Sequence, residues 1–145
     1  MELRLNFYQA SPDAIKAMRG LEAHISQSGL EQPLIELVRL RASQLNGCAY
    51  CVDLHTSDAR KGGEGERRLA TLSVWRETPF FTERERAALA WTEALTEVAQ
   101  SRVPDAVWQQ LRPQFSEREI VDLTLLISTI NGWNRFAIAF RKLPV

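Results

Sequence analysis

The chain has 145 residues, 45% of them hydrophobic, with 18 basic and 18 acidic side chains and no net charge. That length suits one domain over residues 1–145 with its own core and no need of staples. The balanced charge argues against nucleic acid or an anionic membrane surface as partner, and the longest uncharged apolar-rich run, Leu123 to Asn134, is too short to span a bilayer.

Met1-Glu2-Leu3-Arg4-Leu5-Asn6 lacks the apolar core of a signal peptide. Residues 1–10 predict an extended arm, with Leu3, Leu5 and Phe7 alternating. Ser11-Pro12-Asp13 is a helix start, and Ile15, Met18, Leu21 and Ile25 carry a helical stripe that Gly29 closes. His24 lies on this helix without a partner motif and is left unassigned. Pro33 opens the next helix, with Leu34, Ile35, Leu37, Val38, Leu40, Ala42 and Leu45 as its apolar side. Glu36, Arg39, Arg41, Ser43 and Gln44 supply its polar positions.

Asn46-Gly47 is a stop and restart signal, so the following helix begins near Cys48 and runs to Gly62-Gly63. This helix holds the only two cysteines, Cys48 and Cys51, and one of the two histidines, His55. At about 100° per residue the three side chains fall on one stripe. A helix start carries positive partial charge and free N–H groups, which favour a thiolate. An imidazole one turn along can take the thiol proton. Two thiols three apart can also close into a reducible disulfide. The pattern therefore points to a dithiol redox site with its own base.

Three plainer readings compete. A zinc site would use Cys48, Cys51 and His55, but no second CxxC or HxxxH supplies the missing ligand. A structural disulfide over so short a loop restrains the unfolded chain little. Two buried structural cysteines are common, yet Asn46, Asp53 and His55 make this an unusually polar setting. Two cysteines, no secretion signal and a reactive dithiol fit the reducing cytoplasm.

A short helix is predicted from Glu64 to about Trp75, with Leu69, Ala70, Leu72 and Val74 inward, and Thr78-Pro79 breaks it. Thr82-Glu83-Arg84-Glu85 is a capping box before a long helix carrying Ala87, Leu89, Trp91, Ala94 and Val98. Val103-Pro104-Asp105 starts a short helix that stops before Pro113. Ser116-Glu117-Arg118-Glu119 is a second capping box. The last helix, Ile120 to Phe140, is apolar nearly all round and must be covered on every side, by this chain or by another subunit. Gly132 inside it implies close packing. The chain is all-α, a single-domain helical bundle of about seven helices.

Glu36-Leu37-Val38-Arg39-Leu40-Arg41-Ala42-Ser43-Gln44-Leu45-Asn46-Gly47-Cys48-Ala49-Tyr50-Cys51-Val52-Asp53-Leu54-His55-Thr56 resembles the alkylhydroperoxidase D-like core of the carboxymuconolactone decarboxylase superfamily, and Ile130-Asn131-Gly132-Trp133-Asn134-Arg135 extends the likeness. The resemblance covers about residues 15–143, and Glu36, Cys48, Cys51 and His55 all stand where the family's pattern places its acid, CxxC and histidine. It implies a helical hairpin at the centre of the fold and a homo-oligomer, a trimer or a hexamer. Because decarboxylase members lack the dithiol, it implies a thiol-dependent peroxidase acting on hydrogen peroxide or organic hydroperoxides. In the implied cycle Glu36, through a water, polarises His55, and His55 takes the proton from Cys51. The Cys51 thiolate attacks the peroxide, Cys48 closes the disulfide, and an external dithiol reductant restores the pair. No metal or other cofactor enters.

The residues alone leave open which cysteine attacks first. The helix start favours Cys48, whereas nearness to His55 favours Cys51. Cys48 is expected to be the more exposed and the entry point for the reductant. Tyr50 and Trp133 either line the peroxide pocket or pack the core. A general dithiol-disulfide oxidoreductase or redox adaptor, and a lactone or keto-acid enzyme using His55 and Glu36 as acid and base, are the alternative functions.

Overall fold

The computed structural model describes residues 1–145, which form nine α-helices and one 3-10 segment and no strand. Two of the nine are single turns: α1 (Phe7–Ala10) and α7 (Val98–Ser101). The others are α2 (Pro12–Ser26), α3 (Gln32–Asn46), α4 (Ala49–Lys61), α5 (Glu66–Thr71), α6 (Glu83–Thr96), α8 (Asp105–Leu111) and α9 (Glu117–Phe140). No helix is long and apolar enough to cross a membrane.

Helix starts fall where local chemistry places them. Thr82 and Glu85 form a complete capping box at α6, and Ser116 and Glu119 form another at α9. Pro12 and Pro33 sit in the first turns of α2 and α3, where the missing N–H costs nothing.

α3 and α9 share the centre. α3 packs on α4, α6 and α9, while α9 also packs on α2, α4 and α6. The main apolar cluster joins α2, α3, α6, α8 and α9 through residues such as Ile25, Val38, Trp91, Leu111, Leu123 and Leu126. A second cluster, including Leu37, Leu40, Leu69, Leu72, Trp75 and Leu89, fills the far side of α3. Because α3 is covered on both sides, Glu36 and Ser43, two of its polar positions, are buried. Leu126 is fully buried in the main cluster. Leu126→Ala is expected to cost about 2–5 kcal/mol, as lost transfer energy plus a residual cavity. A urea unfolding curve showing less than about 1 kcal/mol of loss would show that α9 is not packed there as described.

Three expectations change. The N-terminal segment is not extended throughout: Asn6 Oδ1 caps the N–H groups of Tyr8 and Gln9, and only Phe7 of the alternating apolar residues is buried. The segment after α5 tightens into a 3-10 turn over Leu72–Glu77, with Val74 out of helical geometry and exposed, so Trp75 turns inward instead. The long helix ends at Thr96 rather than including Val98, which is exposed. Within this one chain α9 keeps part of its apolar surface outward, with Val121 67% and Ile138 46% exposed. Gly132 does mark a close approach: a Cβ there would lie 3.1 Å from the methyl of Met18.

Candidate active site

The site is built around the turn between α3 and α4. Gly47, at φ +67°, is the left-handed residue that closes α3, and Cys48 N–H donates to Ser43 O at 3.0 Å. Asn46 clamps this turn to α9: its Nδ2 donates to Oδ1 of both Asn131 and Asn134 at 2.9 Å. Asn134 Nδ2 donates to Ser43 Oγ at 3.0 Å, and Asn131 Nδ2 donates to Ile127 O and to Thr96 Oγ1. The buried amides of Asn131 and Asn134 are paired at both ends, so they hold the turn without the cost of an orphaned polar group.

Cys48 is the N-cap of α4, one position before the first turn where the sequence places it, and its sulfur accepts Cys51 N–H at 3.3 Å. The two sulfurs are joined in a disulfide, with the Cα atoms 5.3 Å apart. Cys48 is 1% and Cys51 3% exposed. This overturns the expectation that Cys48 is the more exposed of the two. It is Cys51 that lines a cavity of about 280 Å³, together with His55, Tyr50, Trp133, Leu54 and Tyr8. Both aromatic residues singled out in the sequence, Tyr50 and Trp133, are therefore in its wall.

His55 is one turn beyond Cys51 on α4 and is buried. Its Nδ1 lies 3.1 Å from Glu36 Oε2, directly and without a bridging water between them. A carboxylate only accepts, so Nδ1 carries the proton and Nε2 is the free ring nitrogen. Glu36, 6% exposed, accepts on its other oxygen from Gln32 Nε2 at 3.1 Å and from Arg39 Nη1 at 2.9 Å. Burial pushes the Glu36 carboxyl upward, but the His55 hydrogen bond and the His55 and Arg39 charges outweigh it and hold the group below its ordinary value. Arg39 Nη2 also pairs with Glu22 Oε2, and Glu22 Oε1 accepts Trp133 Nε1–H at 2.9 Å.

Cys48 and Cys51 thus sit at the α3–α4 turn, and His55, one turn along α4, meets Glu36 of the facing α3. Sequence reasoning missed Glu22, Gln32 and Arg39. For Arg39 the spacing of one turn from Glu36 was a usable signal, whereas nothing along the chain points to Glu22. His24, left unassigned, has Nε2 2.8 Å from Asp122 Oδ1, away from the site.

Glu36, His55 and Asp58 each bring a possible ligand atom within 4.8 Å of the others. The Glu36 oxygens are already engaged, and a guanidinium stands 2.9 Å away, where it would oppose a cation. The arrangement is a hydrogen-bonded acid–imidazole pair backing a dithiol. It can draw a proton from Cys51, hold it on His55, and return it to a leaving group.

The carboxymuconolactone decarboxylase family model matches residues 10–94. The chain is 42% identical over 139 residues to the uncharacterized protein YdfG of Bacillus subtilis (strain 168), covering 96% of this chain and 95% of that one. A crystal structure of a protein of unknown function from Agrobacterium tumefaciens, suggested to be the antioxidant defence protein AhpD, superposes with TM-score 0.96 at 47% identity over 99% of each chain. The debrominase Bmp8 shares the fold at TM-score 0.86 and 21% identity, over 94% of this chain and 74% of that one. The chain belongs to the carboxymuconolactone decarboxylase family and is alkylhydroperoxidase D-like within it.

Proposed function

We propose that this protein is a thiol-dependent peroxidase that reduces hydrogen peroxide or small organic hydroperoxides through a Cys48–Cys51 dithiol/disulfide cycle. The observation that carries this reading is the direct Glu36–His55 pair placed beside a cavity that reaches Cys51. In the reduced protein His55 takes the Cys51 proton, and the thiolate attacks the nearer peroxide oxygen. The O–O bond breaks, the leaving alkoxide or hydroxide takes the proton from His55, and Cys51 becomes a sulfenic acid. The Cys48 thiol displaces water from it, forming the disulfide. An external dithiol then exchanges with the disulfide and is itself oxidised. The reductant enters by the same cavity, because that is where Cys51 is reached. No metal or organic cofactor takes part.

A homo-oligomer, a trimer or a hexamer in the cytoplasm, is part of this reading. The family resemblance and the outward-facing Val121 and Ile138 support the assembly.

The test is stopped-flow oxidation of the fully reduced protein by several hydroperoxides. Oxidation well above the bare-thiol rate is expected, with mass spectrometry showing one hydrogen lost from each cysteine. Bare-thiol rates, combined with fast exchange against small disulfides, would reassign the protein as a dithiol-disulfide oxidoreductase. Activity on a lactone or keto acid that survives replacement of both cysteines by Ala would reassign it to the third class.

A further inference from the structure

Behind the acid–imidazole pair, the Arg39 guanidinium is held between two carboxylates. Nη1 donates to Glu36 at 2.9 Å, and Nη2 pairs with Glu22. Glu22 is fixed in turn by the indole N–H of Trp133. Three helices, α2, α3 and α9, therefore contribute to a hydrogen-bonded chain that ends on His55 of α4. Glu22, Arg39, Trp133, His55 and Cys51 all line the same cavity.

We propose that Glu22 is a positioning residue for this relay: by holding the far side of Arg39 it leaves the Glu36 carboxylate free to support a proton on His55. The reason is charge balance. Glu36 and Arg39 alone would form a closed neutral pair, and His55 would face a carboxylate whose charge was already compensated. With Glu22 present, one guanidinium is shared by two carboxylates and the group carries one net negative charge. It lies largely out of water, where that charge acts strongly on a neighbouring imidazole. Asp58, one turn on along α4, also faces His55: its carboxylate lies within 4.8 Å of the imidazole and of Glu36, and it adds a negative charge that Glu22 variants leave unchanged. Tyr8 of α1, Arg19 of α2, Tyr50 and Cys51 line the cavity, and Lys142 stacks on Tyr50. From α9 only the uncharged Trp133 and Ala137 border it.

The inference rests on His55 acting as the base for Cys51, and its test is independent of turnover. The chain has two histidines, and His24, paired with Asp122, is an internal control. Imidazole titrations are followed by NMR in the oxidised full-length protein and in Glu22→Gln, Glu22→Asp and Arg39→Gln. Glu22→Gln is expected to move the His55 midpoint to lower pH by about half a unit or more. Arg39→Gln is expected to move it the opposite way, because it leaves both carboxylates uncompensated. Glu22→Asp keeps the charge and is expected to stay with the parent. A role limited to tying α2 to α3 would make Gln and Asp behave alike, and that result, or an unmoved midpoint in Glu22→Gln, overturns the inference. If Arg39→Gln does not fold, the Gln and Asp pair decides. A parent protein that reacts with peroxide only at bare-thiol rates would sink the peroxidase reading and leave these titrations to stand or fall by themselves.

Discussion

Cys51→Ser is expected to abolish peroxide turnover, to the level of an uncatalysed background reaction. Cys51 is the cysteine that reaches the cavity, and it stands one helical turn from His55. A serine hydroxyl holds its proton far too tightly to replace a thiolate as nucleophile toward oxygen. Cys48→Ser separates the roles. It should still be oxidised once, to a sulfenic acid that dimedone traps, because the nucleophile and its base remain. It should not complete a cycle with a dithiol reductant at the parent rate, because the internal partner that expels water is gone. The opposite pattern, with trapping lost in Cys48→Ser and kept in Cys51→Ser, would make Cys48 the attacking residue. Both variants are read by mass spectrometry and by steady-state turnover.

Glu36→Gln is expected to lower turnover by about 10²–10⁴-fold, the usual range for loss of positioned acid–base assistance. The amide can still meet one neighbour, but it presents no charge to His55 and leaves Arg39 with Glu22 alone. Glu36→Ala goes further: it removes the acceptor of the buried His55 imidazole and of Arg39 Nη1, while Arg39 keeps Glu22. A loss of about 1–3 kcal/mol in unfolding free energy is expected there, typical of leaving a buried donor unsatisfied. Acid titration should report the same group. The Glu36 carboxyl is held below its ordinary 4.5 in the folded protein. Its contribution to stability is therefore complete above that value and is lost as pH falls through the lower folded one. Glu36→Gln should lose this part of the acid dependence; an acid limb identical to the parent's would show that Glu36 is not charged in the folded state. Glu85 and Glu93 are also held low by arginine hydrogen bonds that outweigh burial, so some acid dependence remains in the variant.

Much of the machinery was legible along the chain because it is local. Capping boxes at Thr82 and Ser116, prolines at helix starts and the Asn46-Gly47 break are short-range chemistry, and each falls where the sequence places it. Cys48, Cys51 and His55 belong to one short stretch of backbone, so spacing alone sets their mutual reach. Local rules failed where packing decided. Val74, expected inward, is exposed and Trp75 is buried in its stead, because the chain tightens into a 3-10 turn there and the Trp75 indole N–H finds Glu93 at 2.9 Å. Phe7 is buried through contact with Phe136 and Phe140 at the other end of the chain.

By itself the sequence determined an all-helical chain, a dithiol at the start of a helix, and an imidazole on the same face. Which sulfur meets the cavity, how deeply Glu36 is buried, and that Glu22 and Arg39 stand behind it were decided only by tertiary structure. The physical reason is that a side chain's charge and reach depend on what covers it. For Glu36, Arg39 and Glu22 that cover comes from α2 and α4, on either side of α3 in the chain, and from the remote α9, brought together by burial of apolar surface.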